Sequence, residues 1–173
     1  MKKGFFKVVI GIIAIVIIVV FVLFANNCIG LSTNKLELDI RSSRNIQENW
    51  TVDGNVSDSM AAYIAYSGEK GGGSFYVYVN RPGLSFGWFL REGGSLSSVD
   101  QGITEFRVDG YQESAFISMN KQNVVKAELG EGDSAAVVNI EAGKPFAIVL
   151  PENIMVTFYD VDGNIVEYRK ENI

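Results

Sequence analysis

The chain has no histidine and a single cysteine, and those absences remove most familiar catalytic chemistry. Without histidine there is no ready general base near neutral pH, no imidazole metal ligand and no Ser-His or Cys-His nucleophile pair. The lone Cys28 can form no disulfide within the chain, so a folded domain must be stable from its core alone. Its place at the end of a hydrophobic run also argues against thiolate metal sites and thiol catalysis. A basic stripe is missing too. Beyond residue 25 the sequence carries 12 Lys and Arg against 20 Asp and Glu, a formal charge of −8. Such a surface repels nucleic acid and anionic headgroups. No nucleic-acid partner, metal or cofactor is expected.

Charge is absent altogether from Val8 to Ala25, eighteen residues with no strongly polar side chain. As a helix this run spans about 27 Å, near the hydrocarbon thickness of a bilayer. Lys2, Lys3 and Lys7 precede it and the next cation is Lys35, so the positive-inside rule puts residues 1–7 in the cytoplasm and the remainder outside. A cleaved signal peptide would have a shorter apolar core ending in a small-x-small site. Lipidation of Cys28 would want a small residue before it, where Asn27 stands. Gly11 has no small residue four positions on, and no ionisable group interrupts the run, so a passive single-pass anchor is the expectation.

Hydrophobic residues make up 47% and aromatics 12% of the 173 residues, enough for one packed domain after the anchor. Residues 26–34 read as a polar juxtamembrane linker and 35–173 as the domain. Leu36, Leu38 and Ile40 alternate with Glu37 and Asp39 in the period of a half-buried strand. Similar short runs follow at Met60 to Tyr66, Phe75 to Val79, Phe86 to Arg91, Ile103 to Val108, Ala115 to Met119, Val124 to Leu129, Ala135 to Ile140, Phe146 to Leu150, Ile154 to Tyr159 and Asn164 to Arg169. Gly130 to Asp133 predicts one hairpin turn, and Asp160 to Asn164, with Gly163 supplying positive φ, predicts another. Ser95 to Ile103 has room for one short helix. The pattern predicts an all-β fold after the transmembrane helix, an antiparallel β-sandwich or partly open barrel of about 9–11 short strands.

Few motifs suggest chemistry. Ser59-Met60 and Ser118-Met119 resemble the serine-methionine pair of type I signal peptidases, with Lys126 as the lysine. The flanking prolines of that family are missing, and Lys126 is too near Ser118 and too far from Ser59. Ser118-Met119-Asn120-Lys121 has a serine-x-x-lysine spacing, but that pairing needs a helix. Asp160, Asp162 and Asn164 copy the start of a calcium loop, yet Ile165 occupies the required glycine and Glu171 arrives late. Gly71 to Ser74 lacks the lysine ending of a phosphate loop.

The richest aromatic zone is Phe75, Tyr76, Tyr78, Phe86, Trp88 and Phe89. Tyr76, Tyr78 and Trp88 are the candidate binding surface, a flat platform for sugar rings or a partner peptide. The reading is a non-enzymatic binding or accessory module on the outer face of a bacterial cell membrane, engaging a protein partner or wall polymer, with no catalytic residue assigned. The alternative is an envelope-polymer hydrolase using paired carboxylates or a Ser-Lys pair.

Overall fold

The computed structural model describes residues 2–43, 45–68, 72–96, 102–132 and 135–173. Helix α1 (Lys2–Ala25) contains a stretch, Phe5–Ala25, long and apolar enough to cross a membrane, and none of it is buried against the rest of the chain. A 3₁₀ turn (Thr33–Lys35) leads into α2 (Leu36–Ser43). The strands that follow are β1 (Thr51–Val56), β2 (Met60–Tyr66), β3 (Gly73–Asn80), β4 (Trp88–Ser95), β5 (Ile103–Arg107), β6 (Glu113–Ser118), β7 (Val124–Leu129), β8 (Ala136–Asn139), β9 (Phe146–Pro151), β10 (Val156–Asp160), β11 (Ile165–Val166) and β12 (Tyr168–Asn172). The fold is therefore mostly β with one apolar helix at its amino end, as the short alternating runs predict.

Among the described residues the strands form three sheets. The first is an antiparallel meander in the order β1-β2-β3-β4, the second runs β12-β5-β6-β9, and the third β11-β10-β7-β8. All pairings between these strands are antiparallel except β12 with β5, which aligns Tyr168 with Ile103 in parallel. The run expected from Asn164 to Arg169 thus splits. Ile165 and Val166 close a hairpin on β10, and Tyr168 onward joins a different sheet.

Alternation along the strands divides the core into three clusters. Met60, Ala62 and Ile64 of β2 and Phe75, Val77 and Val79 of β3 share one cluster with Phe106, Ala115, Ile117, Ala147 and Val149 of the second sheet. Phe116, Phe146 and Leu150, on the opposite face of that second sheet, cluster with Val124, Ala127, Val156 and Phe158 of the third. The intervening residues of the first sheet, Ala61, Ala65, Tyr76, Tyr78 and Trp88, pack with Leu36 and Ile40 of α2. Each large apolar side chain fully withdrawn from water contributes on the order of 2 kcal/mol, so covering both faces of a strand doubles its use as core.

Two local expectations give way. Leu36 to Ile40 is helical rather than extended, because Leu36 and Ile40 stand one turn apart on the buried face while Leu38 is exposed, and Glu37 pairs with Arg41 at 2.9 Å along the helix. A five-residue alternation places its first and last apolar residues at i and i+4, which suits either period. Conversely β1, with Asp53, Gly54 and Asn55 at its centre, has strand-poor residues and no alternation, and exists as the edge partner of β2. The expected helix between Ser95 and Ile103, and Asp133 of the first hairpin turn, lie wholly or mostly outside the described residues.

The segment that follows α1 is more than a spacer. Gly30 and Leu31 donate backbone hydrogen bonds to Phe86 and Trp88, which in turn donate to Cys28 and Leu31. The domain is thus tied to the chain from Cys28 onward, ahead of Lys35.

Among the described residues one charged side chain is buried. Glu105 on β5 is 1% exposed; its Oε1 accepts from Arg107 Nε at 2.7 Å and its Oε2 lies 3.8 Å from Lys170 Nζ on the parallel β12, without a hydrogen bond. Arg107 also reaches Glu152 at 3.0 Å. Removing Arg107 leaves the buried Glu105 carboxylate without its hydrogen-bonded cation, with only Lys170 at 3.8 Å, and costs about 3 kcal/mol at most, whereas replacing both by apolar groups is close to neutral. Urea unfolding of the full chain in detergent should therefore show Arg107→Leu strongly destabilised and Glu105→Leu/Arg107→Leu restored toward wild type. A double variant no better than the single one contradicts this account.

Candidate functional site

The aromatic platform expected of Tyr76, Tyr78 and Trp88 does not exist as a surface. Tyr76 and Tyr78 are 0% exposed and Trp88 4%, because α2 lies over the face of β3 and β4 that carries them. Their polar ends are satisfied inside: Tyr78 Oη donates to Asp39 Oδ2 at 2.7 Å, Trp88 Nε1 to Thr33 Oγ1 at 2.9 Å, and the Tyr76 hydroxyl shares a 2.9 Å hydrogen bond with Ser74 Oγ. Phe75 faces the other way and stacks on Phe106, 4.8 Å between centroids. Of the original aromatic zone, Phe86 alone is exposed by more than half its surface. The alternation of β3 suits a strand with one open face, but both of its faces are covered, one by the second sheet and the other by α2.

The serines singled out by their methionine neighbours are also committed. Ser57 Oγ donates to Glu113 Oε2 at 2.6 Å, and Ser59 offers the same oxygen both its hydroxyl and its amide, so Glu113 holds the turn between β1 and β2 against β6. Ser118 Oγ donates to the Gly102 carbonyl at 2.8 Å and accepts from the Asn120 amide. Lys126 lies in the third sheet, donating to Glu128 at 2.6 Å beside the Tyr159 ring. No serine-lysine pair is brought together by these bonds. Asp160 accepts from Asp162 and Asn164, and the Asn164 side chain foremost holds its carboxyl below the usual range, as befits a turn. Among the described residues no group of three His, Cys, Asp or Glu is placed to hold a metal ion.

What the fold does assemble is a cleft of about 340 Å³ between the β3–β4 and β5–β6 turns, lined by Val79, Arg81, Pro82, Gly83, Arg91, Val108, Asp109, Gly110 and Tyr111. Two turns build it. Arg81 sits at φ 52° and donates its amide to Gly87, while Gly110 at φ 86° precedes Tyr111, whose amide returns to Val108. The Tyr111 hydroxyl donates to the Asn80 carbonyl at 3.3 Å, tying one turn to the other. Burial raises the Tyr111 phenol, and the positive charge of Arg91 opposes that rise. Two guanidinium groups thus share the lining with a single carboxylate, Asp109.

Guanidinium forks offer paired donors that match carboxylate and phosphate oxygens, so the lining is suited to an anionic group. In sequence, Arg81-Pro82-Gly83 marks only a turn, and Arg91 and Tyr111 carry no motif. The available signal is that one cation of an acidic domain, Arg81, sits in a turn, while Arg91 lies inside β4 where its pairing with β3 shifts register.

Tyr78 provides a test of the covered face. Burial, and then the hydrogen bond to Asp39, push its phenol well above the usual tyrosine range. An unfolded tyrosine ionises near pH 10, so this contribution is fully present below about pH 10 and is lost above it, at about 1.4 kcal/mol per pH unit, because unfolding then releases a proton. Thermal unfolding scans should show wild type losing stability more steeply than Tyr78→Phe between about pH 10 and 11. Parallel slopes would place Tyr78 in contact with water.

Compared with known proteins, the chain matches no family model, no curated sequence and no solved structure.

Proposed function

We propose that this chain is a non-enzymatic binding module, a layered β-sandwich domain tethered to the outer face of a cell membrane by α1, that takes an anionic group of a wall polymer into the Arg81–Arg91 cleft. The observation that carries the reading is the concentration of two arginines around one concavity of a domain whose formal charge is −8. Bulk acidity repels polyanions at long range, but beyond about 8 Å that field is screened at physiological salt, and within the cleft the two guanidiniums dominate. The volume lies at the lower end of ligand sites, which suits a single phosphate or carboxylate group of a repeating polymer rather than a whole cofactor.

The amino-terminal lysines and the apolar length of α1 support an inward amino terminus and an outward domain. Such a tether raises the concentration of the domain at the surface where envelope polymers lie.

The test is calorimetric titration of the full chain in a zwitterionic detergent with poly(glycerol phosphate), beside neutral dextran. Binding is expected for the phosphate polymer alone, falling with added salt and weakened about tenfold or more in Arg81→Gln/Arg91→Gln. Both arginines are exposed, so the variant should keep the wild-type melting temperature. Equal binding by wild type and variant would sink the cleft, and retention of dextran would point to a neutral sugar surface elsewhere.

A further inference from the structure

Just beyond the last turn of α1, the chain is hydrogen-bonded into the domain. The Cys28 amide donates to the Leu23 carbonyl of α1 at 2.9 Å, and the Cys28 carbonyl accepts from the Phe86 amide at 2.8 Å. Gly30 then donates to the Phe86 carbonyl at 2.7 Å, and Trp88 and Leu31 exchange a pair of bonds at 2.8 and 2.9 Å. One residue therefore bridges the helix end and the loop from residue 81 to 87, which places Phe86 within about 10 Å of that end. Glycines make the crossing close. A Cβ at Gly30 would strike the Trp88 carbonyl oxygen, and one at Gly87 would stand 2.7 Å from that of Leu31.

The loop held there is apolar at its tip. Leu84 is 93% exposed, Phe86 54%, and Ile29, paired with Phe86, 49%. The loop has not collapsed onto the domain, because Arg81 donates to Gly87 at 2.9 Å and Ser85 Oγ to the Pro82 carbonyl at 2.6 Å, closing a turn that projects Leu84. Its only charge is Arg81, which stands at the base of the loop and lines the cleft, so the tip itself carries none. Exposed apolar groups grouped in this way mark a contact surface, and the fixed strap to α1 says which surface lies nearest.

We propose that the loop 81–87 with Ile29 is a membrane-interface anchor: Leu84 and Phe86 enter the outer leaflet beside α1 and hold the domain against the bilayer in one orientation. The proposal rests on α1 spanning the membrane. Because the strap already fixes the loop at the helix end, little further chain entropy opposes insertion, and a short apolar tip that would bind lipid weakly alone is sufficient here.

The test uses the full chain in phosphatidylcholine vesicles, with Cys28→Ser as background and single spin labels on Leu84→Cys, Val16→Cys within α1, and Val137→Cys on β8, which is exposed in the third sheet. The readout is the ratio of collision with oxygen, which enriches in lipid, to collision with a water-soluble nickel chelate. The expected result is a ratio for both Leu84 and Val16 several-fold above that of Val137. If Val16 reads as lipid and Leu84 matches Val137, the anchor is overturned and the span stands. If Val16 also reads as aqueous, the span itself fails and the anchor with it. A Leu84 label shielded from both reagents would mean that protein, a second copy of the chain, covers the tip, and would likewise overturn the proposal.

Discussion

The structure depends on burying both faces of β2 and β3. Nearly every residue from Met60 to Tyr66 and from Phe75 to Val79 is withdrawn from water, odd positions of β3 toward the second sheet and even positions toward α2. A strand of this kind needs a cover on each side, so α2 and the second sheet follow from it. The second sheet in turn presents Phe116, Phe146 and Leu150 on its far face and needs the third sheet to cover them. With no disulfide to constrain the unfolded chain, this succession of shared cores carries the stability of the domain.

That economy decides where binding chemistry is to be found. Aromatic side chains that would serve a ligand on an open sheet are spent on the core, and their polar ends are absorbed by Asp39, Thr33 and Ser74. On the proposed reading, recognition is left to the turns. The Arg81–Arg91 cleft is built where two turns of different sheets meet, joined by the Tyr111 hydroxyl, and its rigidity comes from strands that are themselves buried. The same turn that supplies Arg81 continues into Leu84 and Phe86, so cleft and apolar tip are parts of one loop whose ends are clamped by the Arg81–Gly87 hydrogen bond.

Coupling between α1 and the domain follows a different logic. A polar, small-residue segment between an anchor and a domain ordinarily acts as a flexible linker. Here backbone pairing with the approach to β4 turns it into a strap, and the pairing is specified by glycines at positions 30 and 87 rather than by any side chain. The orientation of the domain relative to α1 is consequently set by main-chain hydrogen bonds.

By itself the sequence determined the apolar helix, the β character, ten of the twelve strands among the described residues to within a few residues and the hairpin at Asp160–Asn164, because these depend on local periodicity and turn chemistry. Tertiary structure decided the rest. Leu36 to Ile40 fits both periods, and only the apolar face of β3 and β4 above it selects the helix. Thr51 to Val56 has the strand-poor Asp53-Gly54-Asn55 at its centre and is extended because β2 offers an unpaired edge. Tyr168 to Asn172 leaves its hairpin for a parallel pairing with β5, which places Lys170 over the buried Glu105. The cleft was illegible for the same reason: Arg81 and Arg91 belong to the β3–β4 hairpin and Tyr111 to the β5–β6 turn, and nothing in the sequence encodes that these parts of separate sheets will meet.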